Sequence, residues 1–213
     1  LVPNGNRPIQ EGGSLADSLG RLEAGMSGLR ADMSAAQATL LAHLTTTEAS
    51  GDARDVAADV LRAEGCTVKE YAGWRTRGGA FTDLWAVVWH HDASPVGDSA
   101  GVPAYMIRQM DAGQPGAQLW VDRRGGWHVL AAGTAAHAGR VRAGMPGNSN
   151  SLGVETDHTT GEAWPAAQLA GLRRGTAAIL RRLGEDCAAL HMHKTVCDPV
   201  GRKTDPDGLD LRA

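Results

Sequence analysis

Leu84-Trp85-Ala86-Val87-Val88-Trp89-His90 is an almost unbroken apolar run of β-prone residues. A strand with one wet face alternates apolar and polar side chains, whereas a continuous run belongs to a strand covered on both faces. A central buried strand is therefore expected here. His90 stands at its C-terminal end, where a strand delivers a side chain into a cleft.

The flanking sequence supplies partners. Leu119-Trp120-Val121-Asp122 and Trp127-His128-Val129-Leu130-Ala131 bracket Arg123-Arg124-Gly125-Gly126, a hairpin signature. Ser151-Leu152-Gly153-Val154-Glu155-Thr156 reads as a further strand, residues 67–71 as a short early one, and residues 188–193 as the last. Helices are expected over 52–64, stopped by Gly65, around 102–110, and from Trp164-Pro165 to Gly184. Leu169, Leu172, Thr176, Leu180 and Leu183 form the buried stripe of the long helix; Arg173, Arg174, Arg181 and Arg182 form its solvated face. Five or six strands interleaved with helices predict an α/β (α+β) fold, a central mixed sheet flanked by helices.

The N-terminal quarter differs. After a Gly-, Pro- and Asn-rich lead-in, Leu15, Leu19, Leu22, Met26, Leu29, Met33, Ala36 and Leu40 step by four and three, a heptad seam. Two readings stay open: an amphipathic helix docked on its own domain, or a coiled coil through residues 14–44 that makes a homo-oligomer. Residues 1–50 are read as lead-in, helix and linker, and residues 51–213 as the main domain.

The chain of 213 residues has room for one domain and such an appendage. A net charge of -3 argues against a dedicated nucleic-acid partner. No apolar run approaches a membrane span, and no basic segment leads into an apolar one at the N-terminus. No membrane partner and no secretory signal are expected, so synthesis is placed in the cytoplasm. Cys66, Cys187 and Cys197 do not have zinc-ribbon spacing, and they read as free thiols suited to a reducing compartment. Most of the six tryptophans are expected in the core.

Chemistry collects in three stretches: Trp89-His90-His91-Asp92, Ser151-Leu152-Gly153-Val154-Glu155, and the segment from His191 through Asp205. A catalytic metal of the zinc type keeps three protein ligands and an open position. His90, His193 and Asp205 are the candidate ligands. His91 adjoins His90 and points to the opposite face. His191 shares a face with His193, and Cys197 is a softer donor than Asp205, so spacing alone leaves both alternatives open. Glu155 is a candidate base, or else a strand-end surface carboxylate. Lys203 is a candidate oxyanion partner, or else a solvated loop lysine. Gly153 is expected to let backbone and substrate approach closely. His128 and His158 are expected at the surface.

Residues 53–210 resemble the zinc-dependent N-acetylmuramoyl-L-alanine amidases related to peptidoglycan recognition proteins, above all the amidase domains of actinobacterial phage endolysins. The resemblance rests on Gly73-Trp74-Arg75-Thr76-Arg77, Val88-Trp89-His90-His91, Gly133-Thr134-Ala135-Ala136-His137-Ala138-Gly139, Ser151-Leu152-Gly153-Val154-Glu155, Trp164-Pro165 and Gly201-Arg202-Lys203-Thr204-Asp205-Pro206, in family order. It implies zinc held by His90, His193 and Asp205, Glu155 as base, Lys203 as a catalytic cation and His137 in the wall of the substrate groove. It further implies hydrolysis of the amide between N-acetylmuramic acid and L-alanine in bacterial peptidoglycan, with the cell wall as site of action. A peptidoglycan-binding module of the same fold without catalysis is the alternative. Met192 departs from the pattern, standing where the family has glycine.

Overall fold

In the computed structural model, which describes residues 56–97, 99–108 and 114–211, one sheet holds six strands. They are β1 (Val68–Glu70), β2 (Ala86–Trp89), β3 (Leu119–Val121), β4 (Trp127–Val129), β5 (Ser151–Thr156) and β6 (Leu190–Met192). Their order across the sheet is β1-β4-β3-β5-β2-β6. The β3–β4 hairpin is antiparallel and every other neighbouring pair is parallel. The helices are α1 (Val56–Ala63), α2 (Val102–Arg108), α3 (Ala166–Leu183) and the short α4 (His193–Val196). This is the mixed sheet with flanking helices that the sequence predicts. All described residues lie in the unit Asp52–Ala213. The heptad seam and the start of the helix expected from residue 52 lie outside the described residues.

β2 is paired on both edges, with β5 and β6, and all four of its residues are buried. The continuous apolar run reflects that double covering. Trp89 Nε1 donates to Thr176 Oγ1 at 3.0 Å, tying β2 to α3. Trp74, Trp89, Trp120 and Trp127 are buried. The heart of the core is Trp127 under α3, with Leu61 of α1, Leu172 and Ile179 beside it.

Glycine shapes that contact. A Cβ at Gly175 would stand 2.4 Å from the Trp127 ring and 2.6 Å from Leu61. One turn earlier Gly171 meets Gly125 of the hairpin turn, and Gly171 O accepts the Trp127 Nε1 hydrogen at 3.1 Å. The buried residues of α3 are therefore Gln168, Leu172, Gly175, Thr176, Ala178, Ile179 and Leu180, a face broader than the leucine stripe. Leu169 and Leu183 sit at its margin. Gly184, in the left-handed region at φ 78°, closes the helix as expected.

Two expectations change. Residues 188–193 are not one strand: a 3₁₀ turn (Cys187–Ala189) precedes β6, and His193 opens α4. Asp186 accepts the Ala188 N–H at 2.7 Å, and the Thr195 hydroxyl donates to Met192 O at 2.8 Å. These local bonds bend the chain at both ends of a three-residue strand. His158 is not a surface residue: it is fully buried, stacked on Trp164 at 3.7 Å between ring centroids. His128 is half-buried, with its Nδ1 3.1 Å from the Tyr71 hydroxyl. The described helices include none long and apolar enough to cross a membrane.

Candidate active site

The C-terminal end of β2 is the origin of the site. His90 N–H donates to Val154 O at 2.9 Å and His90 O accepts the Thr156 hydroxyl at 2.7 Å, so its backbone is held by β5. β6 runs parallel beside β2, and the turn after it delivers His193 to the same end. Asp205 lies on the following loop. Its carbonyl accepts the Lys194 N–H at 2.8 Å, which docks the loop on α4. Arg202 anchors the loop from the other side by donating to Ala138 O at 3.2 Å and Arg140 O at 2.8 Å.

His90, His193 and Asp205 present donor atoms within 4.8 Å of one another. His90 Nδ1 and His193 Nδ1 are 2.9 Å apart, and Asp205 Oδ2 is 2.9 Å from the second and 3.4 Å from the first. His193 Nε2 is 3.1 Å from Ala138 O. A carbonyl accepts but cannot donate, which assigns the ring proton to Nε2 and leaves the Nδ1 lone pair toward the cluster. Burial first, and His193 second, push the His90 imidazole down to about 4 against the pull of Asp205, so it is neutral near pH 7. Burial disfavours an ionised Asp205, yet the two imidazoles outweigh it and hold the carboxyl well below the usual carboxylate range. Two imidazole nitrogens and one carboxylate oxygen suit a divalent cation of the zinc type, and their crowding is unfavourable for three bare acceptors.

A cleft of about 210 Å³ opens over this cluster, and Glu155, Lys203, His137 and His91 line it with His193 and Asp205. Glu155, in β5, is half-buried, and among the described residues its sheltered Oε2 finds no hydrogen-bond partner. Burial, then the charges of Asp205 and Asp92, raise its carboxyl well above the ordinary range; Lys203 opposes them.

The structure separates the alternatives that spacing leaves open. His191 points elsewhere, its ring edge-on to Trp85 at 5.8 Å and lining a different cavity. Cys197 is buried away from the cluster, its Sγ 3.7 Å from Lys194 O. His91, expected on the opposite face, instead lines the same cleft outside the donor set, with its Nδ1 accepting the Asp207 N–H at 3.2 Å. The space at Gly153 belongs to a side chain of the protein itself, since a Cβ there would stand 2.3 Å from His137 Cγ. Sequence reasoning misses Gln118, fully buried, whose amide accepts the Gly153 N–H at 2.7 Å and donates to Gly133 O at 3.2 Å. It gives no role to Asp92, which accepts the Trp120 indole hydrogen at 2.6 Å. No spacing rule flags either residue.

Fold and donor set define an α/β protein with a candidate single-metal site. The chain belongs to the N-acetylmuramoyl-L-alanine amidase family (Amidase_2), whose model matches residues 81–208, more than half of its length. Among solved structures, a selenomethionine derivative of AmpD is 21% identical with a TM-score of 0.51, over 64% of this chain and 90% of that one. The Ph2119 endolysin from the Thermus scotoductus MAT2119 bacteriophage Ph2119 is also 21% identical with a TM-score of 0.51, over 68% of this chain and 94% of that one. At that identity the likeness is one of fold. No curated protein matches the chain.

Proposed function

We propose that the chain is a zinc-dependent peptidoglycan amidase that cleaves the bond between the lactyl carboxyl of N-acetylmuramic acid and L-alanine, serving as the lytic module of a phage endolysin. The observation that carries this reading is the meeting, in one cleft, of the His90–His193–Asp205 donor set with a sheltered, unpartnered carboxyl oxygen on Glu155 and the cation of Lys203. His90, His193 and Asp205 would hold the zinc, which supplies Lewis acidity to the scissile carbonyl.

Glu155 then acts as the base. Its Oε2 takes a proton from the attacking water and returns it to the departing alanine nitrogen. A raised carboxyl suits both halves of that exchange, because it holds a proton more readily than an exposed glutamate does. Lys203 offers its ammonium to the negative charge that develops on the carbonyl oxygen. The family supports the reaction, and the phage context rests on the endolysin-like sequence and on the fold shared with the Ph2119 endolysin.

The test is Glu155→Gln, with zinc content and release of soluble peptide from intact cell walls measured on one sample. Full zinc occupancy with hydrolysis down by roughly 100- to 10,000-fold, the usual worth of a general base, is expected. Near-normal release would remove Glu155 from the reaction. A wild-type protein that binds wall and zinc but hydrolyses nothing would favour the binding-module alternative.

A further inference from the structure

We propose that His137 is a positioning residue that fixes the tautomer of His90, through a directed hydrogen-bond chain running away from the cleft to Gly147. The inference rests on the reading of His90 as a zinc ligand through Nδ1. For Nδ1 to offer a lone pair, the ring proton of His90 must sit on Nε2, and that proton needs an acceptor. His90 is 1% exposed, so water does not provide one. His90 Nε2 faces His137 Nδ1 at 3.0 Å.

Each further link has its direction set by the one before. With Nδ1 accepting, neutral His137 carries its own proton on Nε2, which faces Ser151 Oγ in a long contact of 3.5 Å. Ser151 cannot return a proton there, because its hydroxyl donates to Gly147 O at 2.6 Å. The carbonyl at the end can only accept. Polarity therefore runs one way, from His90 to Gly147, and the opposite tautomer of His90 breaks it at the first link.

The seat of His137 is built into the sheet. Gly153 of β5 leaves its side-chain space to the imidazole, which meets His90 edge to face at 85° with centroids 5.1 Å apart. His137 lines the cleft, yet both of its ring nitrogens are turned to protein partners. Its contribution to the site passes through His90.

The test measures zinc affinity of the full chain by competition with a chromophoric chelator, independently of hydrolysis. His137→Leu removes the acceptor and is expected to weaken zinc binding by roughly 10- to 100-fold, as loss of a ligand's outer partner does. His137→Gln returns an amide oxygen near the position of Nδ1 and is expected to recover most of that loss. Ser151→Ala leaves the ring in place and removes the acceptor for its Nε2 proton. Long-range ¹⁵N–¹H spectra of the metal-free protein are expected to show His90 protonated on Nε2 in the wild type and a mixture of tautomers in Ser151→Ala. Unchanged zinc affinity in His137→Leu, or an unchanged His90 signature in Ser151→Ala, would overturn the positioning role. Zinc affinity lost equally in His137→Leu and His137→Gln would do the same, pointing to bulk packing. A wild-type protein that binds no zinc would sink the zinc reading itself, an outcome visible before any variant is compared.

Discussion

Glu155 shows how much one side chain depends on its neighbours' charges. Among the groups that shift its carboxyl, Asp205 and Asp92 act in the same direction as burial, and Lys203 acts against them. A base works when ionised, so a raised carboxyl places the loss of activity on the acid side of the pH profile. Removing the opposing cation raises the carboxyl further. Lys203→Met is therefore expected to move the acid limb of kcat/KM to higher pH, beyond lowering its plateau. A limb that stays in place, or moves to lower pH, would show that Lys203 does not act on Glu155. The two histidines of the last stretch offer a second residue-scale test. His193→Ala is expected to empty the metal site, while His191→Ala, whose ring lies against Trp85, keeps it filled. Inductively coupled plasma analysis of the two purified variants decides. No sequence rule separates these histidines in advance, because alternation treats residues two apart as equivalent for as long as the strand lasts. Here the strand ends at Met192, and the turn after it re-aims His193.

At the scale of the element, what the sequence makes legible is whatever a single element decides for itself. β2 announces its double burial through its apolar run, and the hairpin announces itself through Gly125, whose φ of 80° the turn requires. α3 announces its start through Pro165, which directly precedes its first residue, Ala166, and its end through Gly184. Contacts between elements leave fainter marks. Gly175 reads in sequence as a weak point of a helix, yet it is where α3 rests on Trp127. Gly175→Ala sets two effects against each other: alanine gains about 1 kcal/mol of helix propensity, and overpacking a filled core costs about 1–3 kcal/mol. Trp127 has little freedom to retreat, being fully buried and bonded to Gly171 O. Net destabilisation is expected, seen as a melting temperature several degrees lower. An equal or higher melting temperature would mean that the ring yields. His137 and Gly153 teach the same lesson in the site, because a strand glycine that seats a loop histidine carries no spacing signal.

On the scale of the molecule, the heptad seam of residues 14–44 and the domain of residues 51–213 pose separate questions. We propose that the seam mediates self-association and that the domain is active alone. Deleting residues 1–50 is then expected to leave an active monomer, whereas the full chain scatters light as an oligomer. A full chain that stays monomeric at high concentration would favour the docked-helix reading. The donor set has a consequence of its own in time. His90 and His193 are separated by 103 positions and Asp205 follows 12 later, so the centre closes only across a long stretch of the domain. During synthesis the sheet can begin to gather around β2 long before β6 arrives to complete the pairing. On the ligand set proposed above, a nascent chain halted upstream of Asp205 would lack the third of its donors. The order of the three donors along the chain would then set the moment at which the centre is complete.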